Sequence, residues 1–253
     1  MSTYEIDLLI EELLSNIRLI LGKKLVGLYL HGSLVWGDFD PQSSDIDLWA
    51  ALTSKMNDLE FEQLQQMHKD FAFHHSQWDD RVEVCYISVD ALKTVKSRKS
   101  QIVNISPGEP IHRLEINKEW LMKWYLLRER SKILFGPSPE TMIEPISKDE
   151  FIQCIKDHVR NWDRWLQEMP HNRYALSYAV LTLCRALYSC KTGEQASKKK
   201  AAQWAQQEIP VWSRLIMEAM QWKKEGQTTE VDEISFQKVA EFVKFIQKVI
   251  LEI

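Results

Sequence analysis

Between residues 25 and 52 the chain reads LVGLYLHGSLVWGDFDPQSSDIDLWAAL, and this stretch limits the available folds more than any other. Two apolar runs, 25–30 and 46–52, flank a polar segment rich in turn residues, the pattern of strand, loop and strand. The first strand ends at His31-Gly32-Ser33. A glycine there lets backbone N–H groups come close to a ligand, and Ser33 adds a hydroxyl donor beside them. The second strand opens with Ser44-Asp45-Ile46-Asp47-Leu48. Strand side chains alternate faces, so Asp45 and Asp47 point the same way. Like charges held together are costly unless a cation lies between them, and Mg²⁺ prefers carboxylate oxygens together with phosphate oxygens and water. A D-x-D alone is a weak signal, because surface strands often start with acids. Paired with Gly-Ser at this spacing, it marks a candidate metal-nucleotide site.

The chain around this core reads as two halves. A helix comes first, with a capping box of Ser2 and Glu5, an apolar stripe from Ile6 to Leu21, and Gly22 as its stop. Asn57 caps a second helix carrying Leu59, Leu64, Met67 and Phe71. His68, His74 and His75 lack an acid to complete a metal set and read as a solvated helix end. Residues 81–88 alternate as a strand, with Glu83, Cys85 and Ile87 on one face. A lone buried Glu83 would be expensive. Two readings stay open: an edge strand with Glu83 in water, or Glu83 as a third carboxylate beside Asp45 and Asp47. The basic residues Lys93, Lys96, Arg98 and Lys99 read as a solvated face, and Ser106-Pro-Gly-Glu-Pro110 as a hinge.

Past the hinge the strand pattern gives way to helices. Residues 118–135 form an amphipathic pattern stopped by Gly136-Pro137. Ser147 and Glu150 open a capped helix, residues 174–190 form a mostly apolar one, and Ser197, Pro210 and residues 231–253 supply the rest. The expected fold class is an α/β (α+β) domain with a small mixed sheet, followed by an all-α bundle of five or six helices. The domains are residues 1–110 and 111–253.

Composition closes off several classes. At 253 residues the chain can bury a good core, and its net charge of -4 argues against a general nucleic-acid binder. No run of 18 apolar residues and no basic-then-apolar leader is present, so the expectation is a cytoplasmic protein without membrane contact. Cys85, Cys154, Cys184 and Cys190 lie in apolar segments without metal-ligand spacing and read as buried thiols.

Gly32-Ser33, Trp36-Gly37 and Ser44-Asp45-Ile46-Asp47 together resemble the nucleotidyltransferase signature, G-S-x(3)-G-x(n)-S-D-x-D. The segment 131–137, closing on Gly-Pro, is similar to bacterial aminoglycoside adenylyltransferases. So is Val180-Leu-Thr-Leu-Cys-Arg-Ala-Leu-Tyr-Ser189 with Thr192-Gly193, Lys198 and Ala201-Ala-Gln-Trp-Ala205, which resembles the C-terminal domain of the streptomycin/spectinomycin 3″(9)-type enzymes. The resemblance spans about residues 20 to 225. It implies ATP and Mg²⁺, with Gly32, Ser33 and Ser44 against phosphate and Asp45 and Asp47 as metal ligands. Glu83 is implied as metal ligand or as base for the attacking hydroxyl. Arg185 and Lys198 match the family's phosphate-binding cations. An arginine in an apolar helix needs an anion or a structural salt bridge, and the residues alone leave both open.

The chain also departs from the family. The G-D-E-R segment that helps hold the cationic drug is replaced by Arg173-Tyr-Ala-Leu-Ser177, with no carboxylate. Trp165, Glu168 and Tyr178 are the candidates for a different acceptor pocket. The expected activity is AMP transfer from ATP to a hydroxyl of an aminoglycoside or aminocyclitol, with pyrophosphate released, by a monomer or homodimer. The alternatives are a lincosamide or protein hydroxyl as acceptor, or a non-catalytic nucleotide-binding regulator.

Overall fold

A computed structural model describes residues 3–224 and 229–253. The expected cap residue Ser2 lies outside the described residues. The chain divides into two compact units, Met1–Ile146 and Ser147–Ile253.

The first unit holds α1 (Thr3–Leu21), β1 (Leu25–His31), a one-turn α2 (Ser33–Trp36) and β2 (Ile46–Leu52). Then come α3 (Asp58–His74), β3 (Val82–Ser88), α4 (Val89–Thr94), β4 (Ser100–Ser106), β5 (Glu109–Ile116), α5 (Leu121–Glu129) and β6 (Lys132–Phe135). The six strands form one mixed sheet in the order β5-β4-β3-β2-β1-β6, with only the β2–β3 neighbours parallel. The α1 stripe and Leu64, Met67 and Phe71 of α3 cover one face, packed on Leu28, Leu48, Val84 and Tyr86. Alternation then sends Tyr29, Asp47, Trp49, Glu83 and Cys85 to the opposite face, where Trp124 of α5 meets Trp49 at a ring-centroid distance of 4.4 Å.

Several expectations need correcting here. Residues 106–110 are the tight connection of the β4–β5 hairpin, not a hinge. The helix expected over 118–135 is a 3₁₀ turn, then α5, then the short strand β6, which joins the sheet beside β1. Gly136, at φ +90°, makes that junction possible: a Cβ there would stand 2.2 Å from the Val26 carbonyl oxygen. The sheet therefore runs past residue 110, and the boundary falls at 146/147. β3 has neighbours on both sides, which removes the edge-strand reading of Glu83. Leu59 is exposed rather than part of the α3 stripe. His68 is not solvated: it is 6% exposed, Nε2 lies 2.8 Å from the Tyr86 hydroxyl, and burial pushes its pKa down to about 4.

The second unit is helical: α6 (Lys148–Val159), α7 (Trp162–Glu168), α8 (Arg173–Thr192), α9 (Lys198–Glu208), α10 (Ser213–Trp222) and α11 (Glu233–Glu252). Its starts follow the sequence cues. Ser147 and Glu150 form a capping box, Asn172 and Ser197 cap α8 and α9, and Gly193 ends α8 in the left-handed conformation. α8 is the centre of the bundle, with Leu176, Val180, Leu183 and Leu187 fully buried. All four cysteines are buried and unbridged. Among the described residues, no helix is long and apolar enough to cross a membrane.

Candidate active site

Two pairings of register build the site in the sheet unit. His31 pairs with Asp47 across the antiparallel β1–β2 ladder, and Asp47 pairs with Glu83 across the parallel β2–β3 ladder. Partners in a ladder share a face, and strands lie about 4.8 Å apart. His31, Asp47 and Glu83 thus stand in one row at the end of the sheet, on the face away from α1 and α3. Asp45, two residues before Asp47, precedes the strand and is half-buried, as Asp47 is.

Gly32 follows His31 at φ +69° and ψ -151°, a region essentially confined to glycine. The Asp47 carboxylate occupies the space a side chain would take, since a Cβ on Gly32 would lie 1.8 Å from Asp47 Oδ2. Ser33 then begins α2, and the Gly32 carbonyl accepts from the Val35 and Trp36 amides at 3.1 and 3.2 Å. The Gly-Ser turn and the second acid of the D-x-D motif are in direct contact.

Ser44, expected against phosphate, sits in the loop before β2. It is 2% exposed, and its hydroxyl accepts from the Asp40 amide at 3.0 Å, closing the loop that leads into β2. Glu83 has a neighbour that the sequence pattern alone does not supply. Lys123 of α5, with Nζ 3.5 Å from Glu83 Oε1 and 4.3 Å from the Trp120 ring centre, holds the carboxylate. Among the described residues no three acids, histidines or cysteines are grouped closely enough to hold a metal ion. Asp45, Asp47 and Glu83, expected as metal ligands with Glu83 alternatively the base, are not gathered into one such group. Lys123 was missed in the sequence. Its signal was a lysine three positions after Trp120, hence on the same helical face.

The donor chemistry fits Mg²⁺. It is held through one or two carboxylates with the remaining positions filled by phosphate and water, and Asp45 with Asp47 supplies such a pair of hard oxygen donors.

In the helical unit, Tyr178, Thr182 and Arg185 follow one another at helical spacing on one face of α8. Arg185 is half-buried. Lys198, the first residue of α9, places Nζ 4.1 Å from the centre of the Tyr178 ring. Trp162 stacks on Tyr178 at 6.1 Å, and Trp165 packs on Trp162 and on His158. The structure thus brings Lys198, Tyr178 and Trp165 into one neighbourhood, with Arg185 two turns along the same face of α8. Glu168 does not join them: it is exposed and paired with Arg164 one turn earlier on α7.

Residues 141–249 match the family model described as the aminoglycoside adenylyltransferase C-terminal domain. Over 238 residues the chain is 26% identical to an aminoglycoside (3'') (9) adenylyltransferase of Shigella flexneri, covering 86% of this chain and 85% of the relative. Over most of its length the chain is similar to aminoglycoside adenylyltransferases. A spectinomycin 9-adenylyltransferase of Staphylococcus aureus (strain N315) is 24% identical over 251 residues, 90% of this chain and 88% of its own. In fold, the chain is similar to a spectinomycin adenyltransferase of Enterococcus faecialis crystallised with ATP and spectinomycin. The TM-score is 0.77 and the identity 19%, over 98% of this chain and 100% of the other.

Proposed function

We propose that the protein transfers AMP from ATP to a hydroxyl of an aminocyclitol or aminoglycoside of the spectinomycin or streptomycin type, releasing pyrophosphate. The observation that carries this reading is the row of Asp47 and Glu83 in parallel register, with Gly32 bare against Asp47.

Each residue has a separate task. The missing side chain at Gly32 leaves room for a phosphate at the end of β1, and Ser33 adds a hydroxyl donor. Asp45 and Asp47 would hold Mg²⁺, whose charge offsets that of the triphosphate. Arg185 and Lys198 of the helical unit are the cations we assign to nucleotide phosphate. Glu83, held by Lys123, accepts the proton of the acceptor hydroxyl. The hydroxyl oxygen forms a bond to the α-phosphorus as the bond from that phosphorus to the pyrophosphate oxygen breaks, and pyrophosphate leaves with the electron pair. Tyr178 and Trp165 offer aromatic surface to the acceptor.

One observation favours a second acceptor class. Lys123 adds positive charge beside the base, which disfavours a polycation there, so a lincosamide with fewer amines is the runner-up.

Acceptor-dependent pyrophosphate release tests the reading across spectinomycin, streptomycin, other aminoglycosides and lincosamides with Mg²⁺ and ATP. Release is expected with one drug class and lost in Asp47→Asn, whose melting temperature stays near that of the wild type. Near-normal release in Asp47→Asn would contradict the assignment.

A further inference from the structure

The loop that delivers Asp45 is held in place by a residue outside the signature. The Arg81 guanidinium donates through Nη2 to the Pro41 carbonyl at 2.9 Å and to the Ser44 carbonyl. Its backbone carbonyl accepts from the Ile46 amide at 2.9 Å. Arg81 therefore grips the D-x-D segment on both sides of Asp45, at Ser44 and at Ile46. The arginine is itself fixed. Its guanidinium carbon lies 4.5 Å from the centre of the Trp78 ring, and its amide donates to the Trp78 carbonyl at 3.1 Å. Trp78 is 1% exposed and stacks on Phe39 of the same loop. Within the loop, Asp40 completes the frame: its carbonyl accepts from the Ser43 and Ser44 amides, and its carboxylate from the Gln42 amide.

We propose that Arg81 is a positioning residue for the metal-nucleotide site: it fixes the approach of Asp45 to the strand so that the two D-x-D carboxylates stand ready as a pair. This rests on the assignment of Asp45 and Asp47 to Mg²⁺. The planar fork matters, because Nη2 bridges the Pro41 and Ser44 carbonyls while Nη1 donates to the Gln77 carbonyl at 3.4 Å, an arrangement on two nitrogens that the single ammonium of a lysine reproduces poorly. Without the bridge, residues 41–45 keep their turn hydrogen bonds but lose their tie to β3. A partner that orients a metal ligand commonly contributes 10–100-fold, by order of magnitude, to metal affinity.

Mn²⁺ binding to the nucleotide-free protein, read from the loss of the free Mn²⁺ electron spin resonance signal, tests this without any turnover. Arg81→Met keeps an apolar stem against Trp78 and removes the donors. It is expected to weaken Mn²⁺ binding by about 10-fold or more, with Arg81→Lys intermediate. The Mg²⁺ concentration for half-maximal turnover should rise in step, while kcat at saturating Mg²⁺ falls less. If Arg81→Met melts at the assay temperature, Arg81→Lys carries the test by the same readout. Wild-type Mn²⁺ affinity in the folded variants overturns the proposal. Asp47→Asn separates the two failures. If it loses Mn²⁺ while the Arg81 variants do not, the positioning role alone falls; if it too binds Mn²⁺ normally, the metal assignment falls with it.

Discussion

Gly32 holds the tightest constraint in the sheet unit, because backbone conformation and space there exclude a side chain for separate reasons. Its φ of +69° with ψ of -151° costs a non-glycine residue about 1–3 kcal/mol. Independently, a methyl group would displace the Asp47 carboxylate from which it would lie 1.8 Å. Gly32→Ala is therefore expected to lower kcat/KM by about 100-fold or more, equivalent to about 3 kcal/mol of transition-state stabilisation, with a melting temperature a few degrees lower. Steady-state kinetics beside a thermal melt measures both, and turnover close to wild type would show that Asp47 can act from another position. Gly32, Asp45 and Asp47 were legible in the sequence because their chemistry is local: a glycine at a strand end, and two acids one side-chain period apart. Glu83 was legible only as one of two readings, since nothing in its own strand says which strands flank it. Lys123 and Arg81 went unassigned, because each meets the site through tertiary packing.

At the scale of elements, α3 and β3 are joined by a hydrogen bond between two buried groups, His68 and Tyr86. Burial holds the imidazole neutral, with a pKa near 4 against about 6.5 in an unfolded chain. Above pH 6.5 neither state takes a proton and the group contributes no pH dependence. As pH falls from 6.5 toward 4, the unfolded chain binds a proton that the native state refuses, so stability is lost over that window. The loss amounts to about 2 kcal/mol at pH 5. Melting curves from pH 7.5 to 5 should fall more steeply for the wild type than for His68→Gln; parallel curves would contradict the assignment. Elements were legible where one face is buried and caps are local, as in β1, β2, β3, α6 and α8. The β4–β5 hairpin was not, because Pro107-Gly108 suits a hinge as well as a turn. β6 was not, because Lys132-Ile-Leu-Phe135 continues a helical apolar pattern, and its strand state depends on pairing with β1.

On the scale of the whole molecule, the chain is a mixed six-stranded sheet unit followed by a helical unit. The sheet unit supplies the acids, the Gly-Ser turn and the Glu83–Lys123 pair. The helical unit holds Lys198 and the aromatic rings of Tyr178, Trp162 and Trp165 together, with Arg185 further along the same face of α8. A boundary at residue 110 would have cut β6 from the sheet, so the position of 146/147 decides which truncations keep the acid row intact. The overall division was legible because strand alternation stops and helical spacing takes over. Its position was not, because the closing strand lies between two helices. The most direct measurement is transfer of label from α-labelled ATP to spectinomycin, comparing the wild type with Glu83→Gln in the presence of Mg²⁺. The account predicts labelled drug from the wild type and a loss of about 100-fold or more in the variant, which still binds ATP. Equal labelling by both proteins would contradict the role of Glu83 as the base.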